Sequence, residues 1–503
     1  MSAVCEILNG ICRLLYRGEY RRFSAECDIG KTQLDYLMKL LKRNSDTVYG
    51  RKHGFDCIRS YEDFTRLVPL TVYEDYEKYI EAAAKGEKQV LTKEKITLFE
   101  LTSGSSGGKK LIPYTKSLKR EFQRGIKPWL YDIYSSAPAV CRGKSYWSVT
   151  PVTAGKSYSE CGIPIGFEED SEYFGFVSGW LMRRIFAVDG SVKFSRGTED
   201  FYFRTCKQLL DCESLTLVSV WSPSFLRILC DFIRDNSDRL FDNGDPRGKY
   251  ACENNFSRVF PDLKIISCWA DGSAADGIAE IRNRFDGVLI QPKGLLATEC
   301  FASFPIIGET GGRLSFRSHF FEFRSLENGR IVTAEKLQKG EYELIVTTGG
   351  GFYRYCIGDV IEVLDTFPNR PPLLRFLRRK GAVSDLFGEK LTEDFVRGVL
   401  RKIGISESFC LLAPEGNRYV LYTDAEDADP DILDAALCEA YHYGYCRSLG
   451  QLEGAAVVRV KGDPKAALIK KLAADGMRIG DIKPAFLTSK SGWADIFETE
   501  GGK

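Results

Sequence analysis

The sequence predicts an α/β fold followed by a small α+β domain, and three observations lead to this prediction. Strand-like runs at 145–149, 215–220 and 263–268 alternate with helical patterns, as in proteins built around a mostly parallel sheet. From about 312 to 375 strand patterns and glycine-rich turns dominate, which indicates an antiparallel β-rich subdomain. After Lys380, helices and strands alternate again over a stretch long enough for a separate domain.

The first predicted element is an amphipathic helix at the N-terminus. Apolar residues recur there at helical spacing, interrupted by polar ones: Val4, Ile7, Leu8, Ile11, Leu14 and Leu15. A secretory signal would need a continuous apolar core and a cleavage site of small residues, and no apolar run elsewhere reaches the length of a membrane span. We therefore expect a cytoplasmic protein that does not associate with membranes.

The segment from Thr102 to Lys110 is the most informative part of the chain. An apolar strand pattern at 96–101 ends there in hydroxyls, glycines and two lysines, in the order Thr102, Ser103, Gly104, Ser105, Ser106, Gly107, Gly108, Lys109 and Lys110. Glycines let successive backbone N–H groups point into one concavity, hydroxyls add donors, and lysines add positive charge. This segment, here named the Ser/Gly loop, therefore predicts a polyphosphate-binding site.

Three other interpretations of the Ser/Gly loop fit less well. The P-loop of nucleotide hydrolases needs four residues between its glycines, and Gly104 and Gly107 are too close together for it. A hydrolase nucleophile elbow would place the G-x-S-x-G pattern between a strand and a helix, with His319 or His442 as base, but an extended run containing Pro113 follows instead. A flexible surface loop is the usual role of Ser/Gly runs, but this one directly follows an apolar strand and carries paired lysines.

Later elements carry clear boundary signals. The strand at 215–220 leads into Ser222 and Pro223, an N-cap followed by proline at the first helical position, and so predicts a helix there. In the C-terminal part, the patterns predict helices at about 392–403, 430–443 and 464–474, a hairpin around Gly416 and a strand at 456–460. The basic run at 377–381 lies just past Pro371 and Pro372 and predicts a hinge.

Composition argues against several classes of function. Seventy basic and sixty-nine acidic residues leave a formal net charge of +1, which gives no reason to expect a nucleic acid or an anionic membrane as partner. The 16 cysteines include no C-x-x-C pair, which argues against a zinc site and a disulfide framework. The histidines His53, His319 and His442 are far apart, and we expect each to be structural.

Several motifs occur together in the order found in adenylate-forming enzymes. After the Ser/Gly loop come Thr298 and Glu299, a run at 353–359 that ends in Asp359, and the basic run that ends at Lys380. Segments at 318–323, 342–351 and 480–484 make the chain resemble, more closely, the Gretchen Hagen family of acyl acid amido synthetases, first known from auxin-responsive plant proteins, and its bacterial members in particular. The resemblance covers most of the chain.

The resemblance implies a two-step reaction with ATP and Mg²⁺. A carboxylic acid attacks the α-phosphate of ATP to give an acyl adenylate and pyrophosphate, and an amine, usually that of an amino acid, then displaces AMP. It also implies an N-terminal adenylation domain at 1–378 for nucleotide and acyl substrate, a hinge at 379–380 and a mobile C-terminal domain at 381–503. We expect the chain to act as a monomer on small molecules, without nucleic acid.

The same resemblance assigns roles around the phosphates. N–H and hydroxyl donors of Ser103 to Gly108 would hold the β- and γ-phosphates, and Lys109 or Lys110 would add charge. Thr102 is expected among the nucleotide-binding residues as well. Thr298 would lie near the α-phosphate, and Glu299 would bind the Mg²⁺ that bridges phosphate oxygens. Thr298 and Glu299 are therefore expected to take part in catalysis.

Further roles implied by the resemblance concern the nucleoside and the mobile domain. Asp359 would accept hydrogen bonds from the ribose hydroxyls, a task that suits a carboxylate because it has acceptors only. Tyr353, Arg379 and Lys380 complete the expected nucleotide contacts. Lys483 would stabilise the charge that develops at the α-phosphate during adenylation, and rotation about Arg379 and Lys380 would then remove it.

Two alternatives remain open at this stage. In the first alternative, the acyl acceptor is a thiol, on coenzyme A or on a carrier protein. In the second, the chain is an interaction protein that binds a nucleotide but catalyses no reaction. The acid itself is not defined by the motifs. Aromatic residues at Phe122, Trp129, Trp147 and Trp221 would give an apolar or aromatic acid as substrate if they line its pocket.

Overall fold

A computed structural model of the chain describes residues 2–103, 109–148, 157–166, 180–181, 184–271, 276–380, 383–387, 389, 391–448, 450–475, 477, 482 and 485–499. The chain divides into two compact units with a boundary between Leu377 and Arg378. The first unit comprises Met1–Thr102 and Lys109–Leu377, and the second contains Arg378–Lys503.

The first unit contains most of the helices and strands. Its α-helices α1–α12 are Ser2–Ser24, Ile29–Arg43, Val48–Lys52, Tyr61–Leu67, Glu77–Ala84, Lys116–Ser136, Thr198–Leu210, Pro223–Asp235, Ser237–Leu240, Pro246–Cys252, Phe256–Val259 and Asp276–Arg284. Its strands β1–β15 are Ile96–Ser103, Lys109–Thr115, Lys144–Trp147, Ser157–Tyr158, Pro164–Ile165, Leu215–Ser219, Ile265–Cys268, Leu289–Pro292, Ser303–Pro305, Gly312–Leu314, Phe320–Ser325, Ile331–Thr333, Gly340–Thr347, Tyr355–Phe367 and Arg370–Arg379.

The second unit is a smaller α+β assembly. Its strands β16–β20 are Val383–Ser384, Leu391–Thr392, Cys410–Glu415, Arg418–Thr423 and Ala456–Arg459. Its helices α13–α16 are Glu393–Lys402, Pro430–Leu437, Tyr441–Ser448 and Pro464–Ala474. Short 3₁₀ helices occur in the first unit at Phe55–Cys57, Tyr73–Asp75, Pro138–Arg142, Gly190–Phe194 and Ala334–Lys336.

A parallel sheet with strand order β3-β6-β7-β8 confirms the predicted α/β class. Strands β6 and β7 are buried along their whole length, as expected when helices cover both faces of a sheet. The predicted helix start is also confirmed: α8 begins at Pro223, and the Ser222 hydroxyl accepts a hydrogen bond from the Ser224 N–H.

The predicted β-rich subdomain is confirmed as a seven-stranded sheet of order β12-β11-β13-β14-β15-β10-β9. Neighbouring strands run antiparallel, with Phe321 opposite Val346 and Arg313 opposite Leu373. Strand β14 is 13 residues long, and its pairing with β13 shifts register between Glu343 and Ile345. That shift creates a bulge at 357–359.

Strands β1 and β2, which flank the Ser/Gly loop, are neighbours in a four-stranded sheet of order β2-β1-β5-β4. Helix α6 begins directly after β2. The Thr115 hydroxyl accepts a hydrogen bond from the Leu118 N–H and so caps the start of the helix. Buried residues of α6, including Phe122, Ile126 and Trp129, belong to the main apolar core of the first unit.

Helix α1 confirms the predicted helix, but most of the apolar positions that predicted it do not face the core. Val4, Ile7 and Leu14 are 59%, 63% and 66% exposed, respectively. The buried face carries Cys5, Asn9, Cys12, Tyr16 and Phe23 instead. Asn9 explains part of this orientation, because its side-chain amide donates to the buried carbonyl of Cys141 at 3.0 Å.

Among the helices, hairpin and strand predicted for the second unit, one helix is wrong and the others are confirmed. The hairpin turn falls at Gly416 and Asn417, and the helices near 392–403 and 464–474 form. The single helix expected at 430–443 is instead two helices, α14 and α15. The Tyr443 hydroxyl donates to Asp434 at 2.7 Å, a contact that a straight helix forbids because nine residues span roughly 13 Å.

Within the described residues, no helix combines the length and apolar character needed to cross a membrane.

Candidate active site

The two strands beside the Ser/Gly loop bring its ends together. Thr102 and Ser103 end β1, and Lys109 begins β2. Gly104, Ser105, Ser106, Gly107 and Gly108 lie outside the described residues. Because a strand follows the loop, the strand–turn–helix geometry of a nucleophile elbow does not occur here.

Lys110, on β2, contacts the 3₁₀ helix Tyr73–Asp75. Its ammonium group is 4.8 Å from the centre of the Tyr73 ring and 3.5 Å from the Glu74 carboxylate. The Tyr73 hydroxyl accepts a hydrogen bond from the Leu111 N–H at 2.8 Å and so fixes the start of β2. Burial raises the pKa of Tyr73 to about 12, and the nearby Glu299 carboxylate contributes in the same direction.

Thr298 and Glu299 occupy the middle of a tight turn. The Cys300 N–H donates to the Ala297 carbonyl at 3.3 Å, which closes the turn, and the Ala297 N–H donates to the Cys300 carbonyl at 3.0 Å. The Tyr114 hydroxyl on β2 donates to the Thr298 carbonyl at 2.6 Å. The turn, here named the 297–300 turn, is therefore tied to the strand that follows the Ser/Gly loop.

A buried histidine–carboxylate pair holds the residue after this turn. The Phe301 N–H donates to His319 Nε2 at 2.9 Å, and His319 Nδ1 lies 3.0 Å from Glu121 on α6. His319 Nε2 is thus the acceptor, which leaves the ring proton on Nδ1 to be donated to Glu121. The Gly349 N–H also donates to Glu121 at 2.9 Å. His319 is therefore structural, as predicted, and it positions the 297–300 turn.

Asp359 lies in the bulge of β14. The preceding Gly358 has φ +81°, a backbone conformation that glycine adopts without strain. Bulges redirect side chains next to binding sites, and this one leaves the Asp359 side chain 5% exposed.

The negative charges of Glu299 and Asp359 both act on the buried thiol of Cys300. Burial, followed by the negative charges of Glu299 and Asp359, holds the pKa of the Cys300 thiol well above its ordinary value. The Tyr355 hydroxyl donates to Glu299 Oε1 at 3.5 Å. Glu299 is only 3% exposed, so this is a buried acidic centre beside the 297–300 turn.

Tyr353 and Arg354 precede Tyr355 in the chain, and their side chains bind other parts of the protein. The Tyr353 side chain is completely buried, and its hydroxyl donates to the Leu91 carbonyl at 2.9 Å. Arg354, with φ +50°, forms a buried ion pair with Glu322 at 3.0 Å and donates to the Val68 carbonyl. Both side chains are engaged with the protein, which favours a framework role for them.

The remaining predicted site residues belong to the second unit. Arg379 ends β15 and Lys380 is exposed directly after it. Lys483 lies outside the described residues.

Several residues of the centre escaped prediction as functional residues. Tyr73 and Tyr114 come from separate elements, and no local pattern marks them. Cys300 directly follows Thr298 and Glu299, but the motif does not include it. Tyr355 lies in the 353–359 motif and begins strand β14. Its position in the motif was the only sequence signal that could have marked it as a residue of the site.

The side chains available as metal ligands indicate what kind of metal ion the centre could bind. No group of three or more His, Cys, Asp or Glu side chains suited to a metal ion occurs among the described residues. Mg²⁺ does not need such a cage, because it is commonly held by one or two carboxylates together with water and substrate phosphates. A buried centre with Glu299 and Asp359 fits a magnesium–nucleotide complex better than a resident metal ion.

Comparison with known protein families gives two matches in this sequence. Residues 22–243 match the GH3 family N-terminal domain, and residues 313–379 match the GH3 family central domain. Together these matches span more than half of the chain.

Two curated relatives of similar sequence are plant proteins. The putative indole-3-acetic acid-amido synthetase GH3.10 of Oryza sativa subsp. japonica is 24% identical, over 79% of this chain and 87% of its own length. The indole-3-acetic acid-amido synthetase GH3.2 of Arabidopsis thaliana is 23% identical, over 77% of this chain and 80% of its own length.

A solved structure has the same fold over nearly the whole chain. The AtGH3.15 acyl acid amido synthetase in complex with 2,4-DB superposes with a TM-score of 0.77, at 18% identity and 98% coverage of each chain.

Proposed function

Because this chain belongs to the GH3 family, we propose that it is an ATP-dependent acyl acid amido synthetase, a ligase that forms carbon–nitrogen bonds. A carboxylic acid oxygen attacks the α-phosphorus of ATP, and pyrophosphate leaves. The amine of an amino acid then attacks the carbonyl carbon of the acyl adenylate, loses a proton, and displaces AMP. The product is an amide of the acid.

The buried acidic centre is the observation in this molecule that best supports the proposal. Glu299 and Asp359 are 3% and 5% exposed, and both act on the Cys300 thiol. A carboxylate can bind a cation or accept hydrogen bonds from a set of hydroxyl donors. A nucleotide supplies both, through its magnesium ion and its ribose hydroxyls.

We assign the phosphate end of ATP to the Ser/Gly loop and the 297–300 turn. Thr102, Ser103 and Lys109 stand where the loop joins β1 and β2, and the Tyr114 hydroxyl ties the 297–300 turn to β2 at 2.6 Å. Backbone N–H groups of a glycine-rich loop are suited to bind phosphate oxygens. Thr298 is then the residue proposed to lie nearest the α-phosphate.

We assign the ribose to Asp359 and a magnesium ligand to Glu299. When bound, Mg²⁺ would offset the negative charge of the phosphates in the transition state. Asp359 orients the nucleoside through its two acceptor oxygens. The Tyr355 hydroxyl, at 3.5 Å from Glu299, holds the magnesium carboxylate in position.

Lys483 and the basic junction complete the proposed machinery. A lysine ammonium group stabilises the charge that develops on the α-phosphate as the acid attacks. Once the adenylate has formed, a rotation about Arg379 and Lys380 would withdraw Lys483 and admit the amine. The hinge and the mobility of residues 381–503 are part of this proposal.

The acid is proposed to be apolar or aromatic. The centres of the Trp129 and Trp147 rings are 5.8 Å apart in an edge-to-face arrangement. Phe122 is buried on the same helix as Trp129, about two turns earlier. The named plant relatives are synthetases for indole-3-acetic acid, an acid of this class. We propose the class without assigning that hormone as substrate.

Formation of an amide, with release of AMP, tests the proposed function. The chain is incubated with ATP, Mg²⁺, pooled aliphatic, aromatic and indolic acids and pooled amino acids, and products are identified by mass spectrometry. We expect an acid–amino acid conjugate and one AMP per conjugate. Coenzyme A replaces the amino acids in a parallel reaction, and a thioester there without any amide would contradict the amido synthetase assignment.

A further inference from the structure

A group of buried and partly buried residues lies at the carboxyl ends of the parallel strands β3, β6, β7 and β8. Trp147, Ser219 and Cys268 are the last residues of β3, β6 and β7, and Lys293 directly follows β8. Open parallel sheets bind ligands in the crevice at this end of their strands. The 297–300 turn follows in the same connection, so the group is close in sequence to the proposed nucleotide site.

Lys293 is the most unusual member of this group. It is 7% exposed, and its ammonium group lies 5.0 Å from the Trp129 ring, 5.7 Å from Trp147 and 4.8 Å from Trp221. Its Nζ donates to the Ser219 hydroxyl at 2.7 Å. Three indole rings and one hydroxyl surround the amine, an arrangement that accepts a cation without neutralising it.

No carboxylate pairs with Lys293 among the residues that the structure describes. Burial lowers the pKa of Lys293 to about 7 from its ordinary value of 10.5. The neighbouring Cys268 thiol offers no negative charge near neutral pH, because burial raises its pKa to about 12. A lysine kept in such surroundings is costly unless something accepts its hydrogen bonds and its charge.

Two other polar atoms of the group lack hydrogen-bond partners within the described parts of the chain. Trp147, Ser219, Ser267 and Gln291 are register partners across the four strands and therefore point to the same face of the sheet. Gln291 Oε1 accepts from the Trp129 indole N–H at 3.1 Å, but Gln291 Nε2 has no acceptor. The Ser267 hydroxyl, 0% exposed, has no partner either.

Such unpaired groups are rare in folded proteins, because each costs the free energy of its lost hydrogen bond to water. Lys293 Nζ and Gln291 Nε2 are donors, and the Ser267 hydroxyl can also donate. An amine among indole rings, with two further donors on the adjoining sheet face, matches a ligand with an apolar body and an oxygen acceptor at its end. The adenine of ATP matches less well, since it presents a donor amino group beside its acceptors.

We propose that Lys293, Gln291 and Ser267 bind the far end of the acyl acid, and that the substrate is an apolar or aromatic acid with a second oxygen acceptor distant from its reacting carboxylate. The inference rests on the proposed function. The second oxygen belongs to a carboxylate or to a neutral hydroxyl or carbonyl group, and it accepts hydrogen bonds from Lys293 and Gln291. The indole rings of Trp129, Trp147 and Trp221 contact the carbon skeleton between the two ends.

Matched pairs of acids test this subsite. Each pair shares a carbon skeleton and differs in the distal group: hexanoate with adipate, and 3-phenylpropanoate with its 4-hydroxy and 4-carboxy derivatives. Acid-dependent exchange of labelled pyrophosphate into ATP gives kcat/KM for each acid. We expect the oxygen-bearing members to be favoured by roughly 10- to 100-fold, the value of a hydrogen bond to a charged group.

Variants assign the preference to the named residues. Lys293→Met removes the amine while keeping an unbranched side chain of similar length, and it should abolish the preference while leaving the affinity for ATP, measured by calorimetry, unchanged. Ser267→Ala, a smaller change, should reduce the preference. Lys264→Met, at an exposed lysine just before β7, is the matched control and should behave as wild type.

The outcomes separate the subsite from the function. Exchange with equal rates for both members of each pair, or a preference that survives in Lys293→Met, would overturn the subsite and leave the synthetase intact. Loss of ATP affinity in Lys293→Met would place the lysine at the nucleotide instead and also overturn it. Absence of exchange with every acid would contradict the proposed function itself. A preference confined to carboxylates identifies a dicarboxylic acid as substrate, and one shared by hydroxyls supports a neutral oxygen.

Discussion

At the scale of single residues, the proposed chemistry depends on two buried carboxylates, Glu299 and Asp359, whose charges both act on the Cys300 thiol. Glu299 reaches the centre from a tight turn, and Asp359 reaches it from a strand bulge. Their motifs are sixty residues apart in the sequence, so only the fold places both beside Cys300. The residue identities were predictable from the motifs, whereas the contact with Tyr355 was not.

Asp359→Asn should weaken ATP binding by about 10- to 100-fold, because the amide replaces one acceptor oxygen with a donor facing the ribose hydroxyls. Calorimetric titration with ATP measures the change. The control is Asp365→Asn on the same strand, where the side chain is 44% exposed and pairs with Lys339. Wild-type affinity in the Asp359 variant would remove the ribose assignment.

Lys293 gives a prediction for the pH dependence of stability. Its pKa is about 7 in the folded chain and 10.5 ordinarily, so between these values the unfolded chain binds more protons than the folded chain. The free energy of unfolding of the wild type should therefore rise with pH across this window, by up to about 1.4 kcal/mol per pH unit, relative to Lys293→Met. The advantage of Lys293→Met should thus be largest near pH 7 or below.

Urea unfolding of both proteins at several pH values from about 7 to 9 measures this difference. Cys268, whose pKa is raised from 9.0 to about 12, contributes its own pH dependence only from about pH 9 upward, and both proteins contain it. A constant difference across the window would show that Lys293 keeps its charge in the folded protein.

At the scale of elements, helix α6 and the 297–300 turn are packed so closely that glycine is required between them. A β-carbon added at Gly125 would overlap the Phe301 ring, which is completely buried. Phe301 follows the turn that carries Glu299, and its N–H is held by His319. Displacement of this ring should therefore move the proposed magnesium carboxylate.

Gly125→Ala should lower both the stability and the rate of adenylate formation. We expect a loss of about 1–3 kcal/mol in the free energy of unfolding, as for other overpacked cores. Gly18→Ala in α1 is the matched control, because a β-carbon there meets nothing within 4 Å and should add up to about 1 kcal/mol through helix propensity. Chemical denaturation of both variants checks the signs. A Gly125 variant as stable and active as wild type would show that α6 does not hold the turn.

Local signals predicted those elements whose boundaries are set by local chemistry. Ser222 and Pro223 start α8, and the hairpin at Gly416 forms where the sequence indicated. The orientation of α1 was not predictable from its apolar spacing, because the hydrogen bond from Asn9 to the Cys141 carbonyl comes from a distant part of the chain. The break between α14 and α15 likewise depends on the contact of Tyr443 with Asp434.

At the scale of the whole molecule, the chain is organised as two compact units, each with an apolar core of its own. The order of strands and helices predicted the α/β class and the β-rich subdomain, because alternation and turn residues are visible in sequence. The meeting of the Ser/Gly loop strands, the 297–300 turn and β14 at one centre was implied only by the family resemblance. The three-tryptophan surroundings of Lys293 had no sequence signal beyond the tryptophans themselves.

The proposed division of labour between the units predicts an uneven effect of Lys483→Ala. Adenylation should slow by roughly 100-fold or more, because a cation at the developing phosphate charge is lost. Aminolysis of a chemically supplied acyl adenylate should change little. Single-turnover assays of the two steps measure the split, with Lys465→Ala at an exposed position of α16 as control. Equal losses in both steps would contradict the role of Lys483 in adenylation.

The central claim is that this chain forms an acyl adenylate at the centre built around Glu299. Carboxylate-dependent exchange of labelled pyrophosphate into ATP tests it most directly, in the wild type, in Glu299→Gln and in the exposed control Glu327→Gln. We expect exchange with at least one pool of acids, dependent on that acid, preserved in the Glu327 variant and lost in the Glu299 variant. Exchange at the wild-type rate in Glu299→Gln, or none with any acid although ATP binds, would contradict the claim.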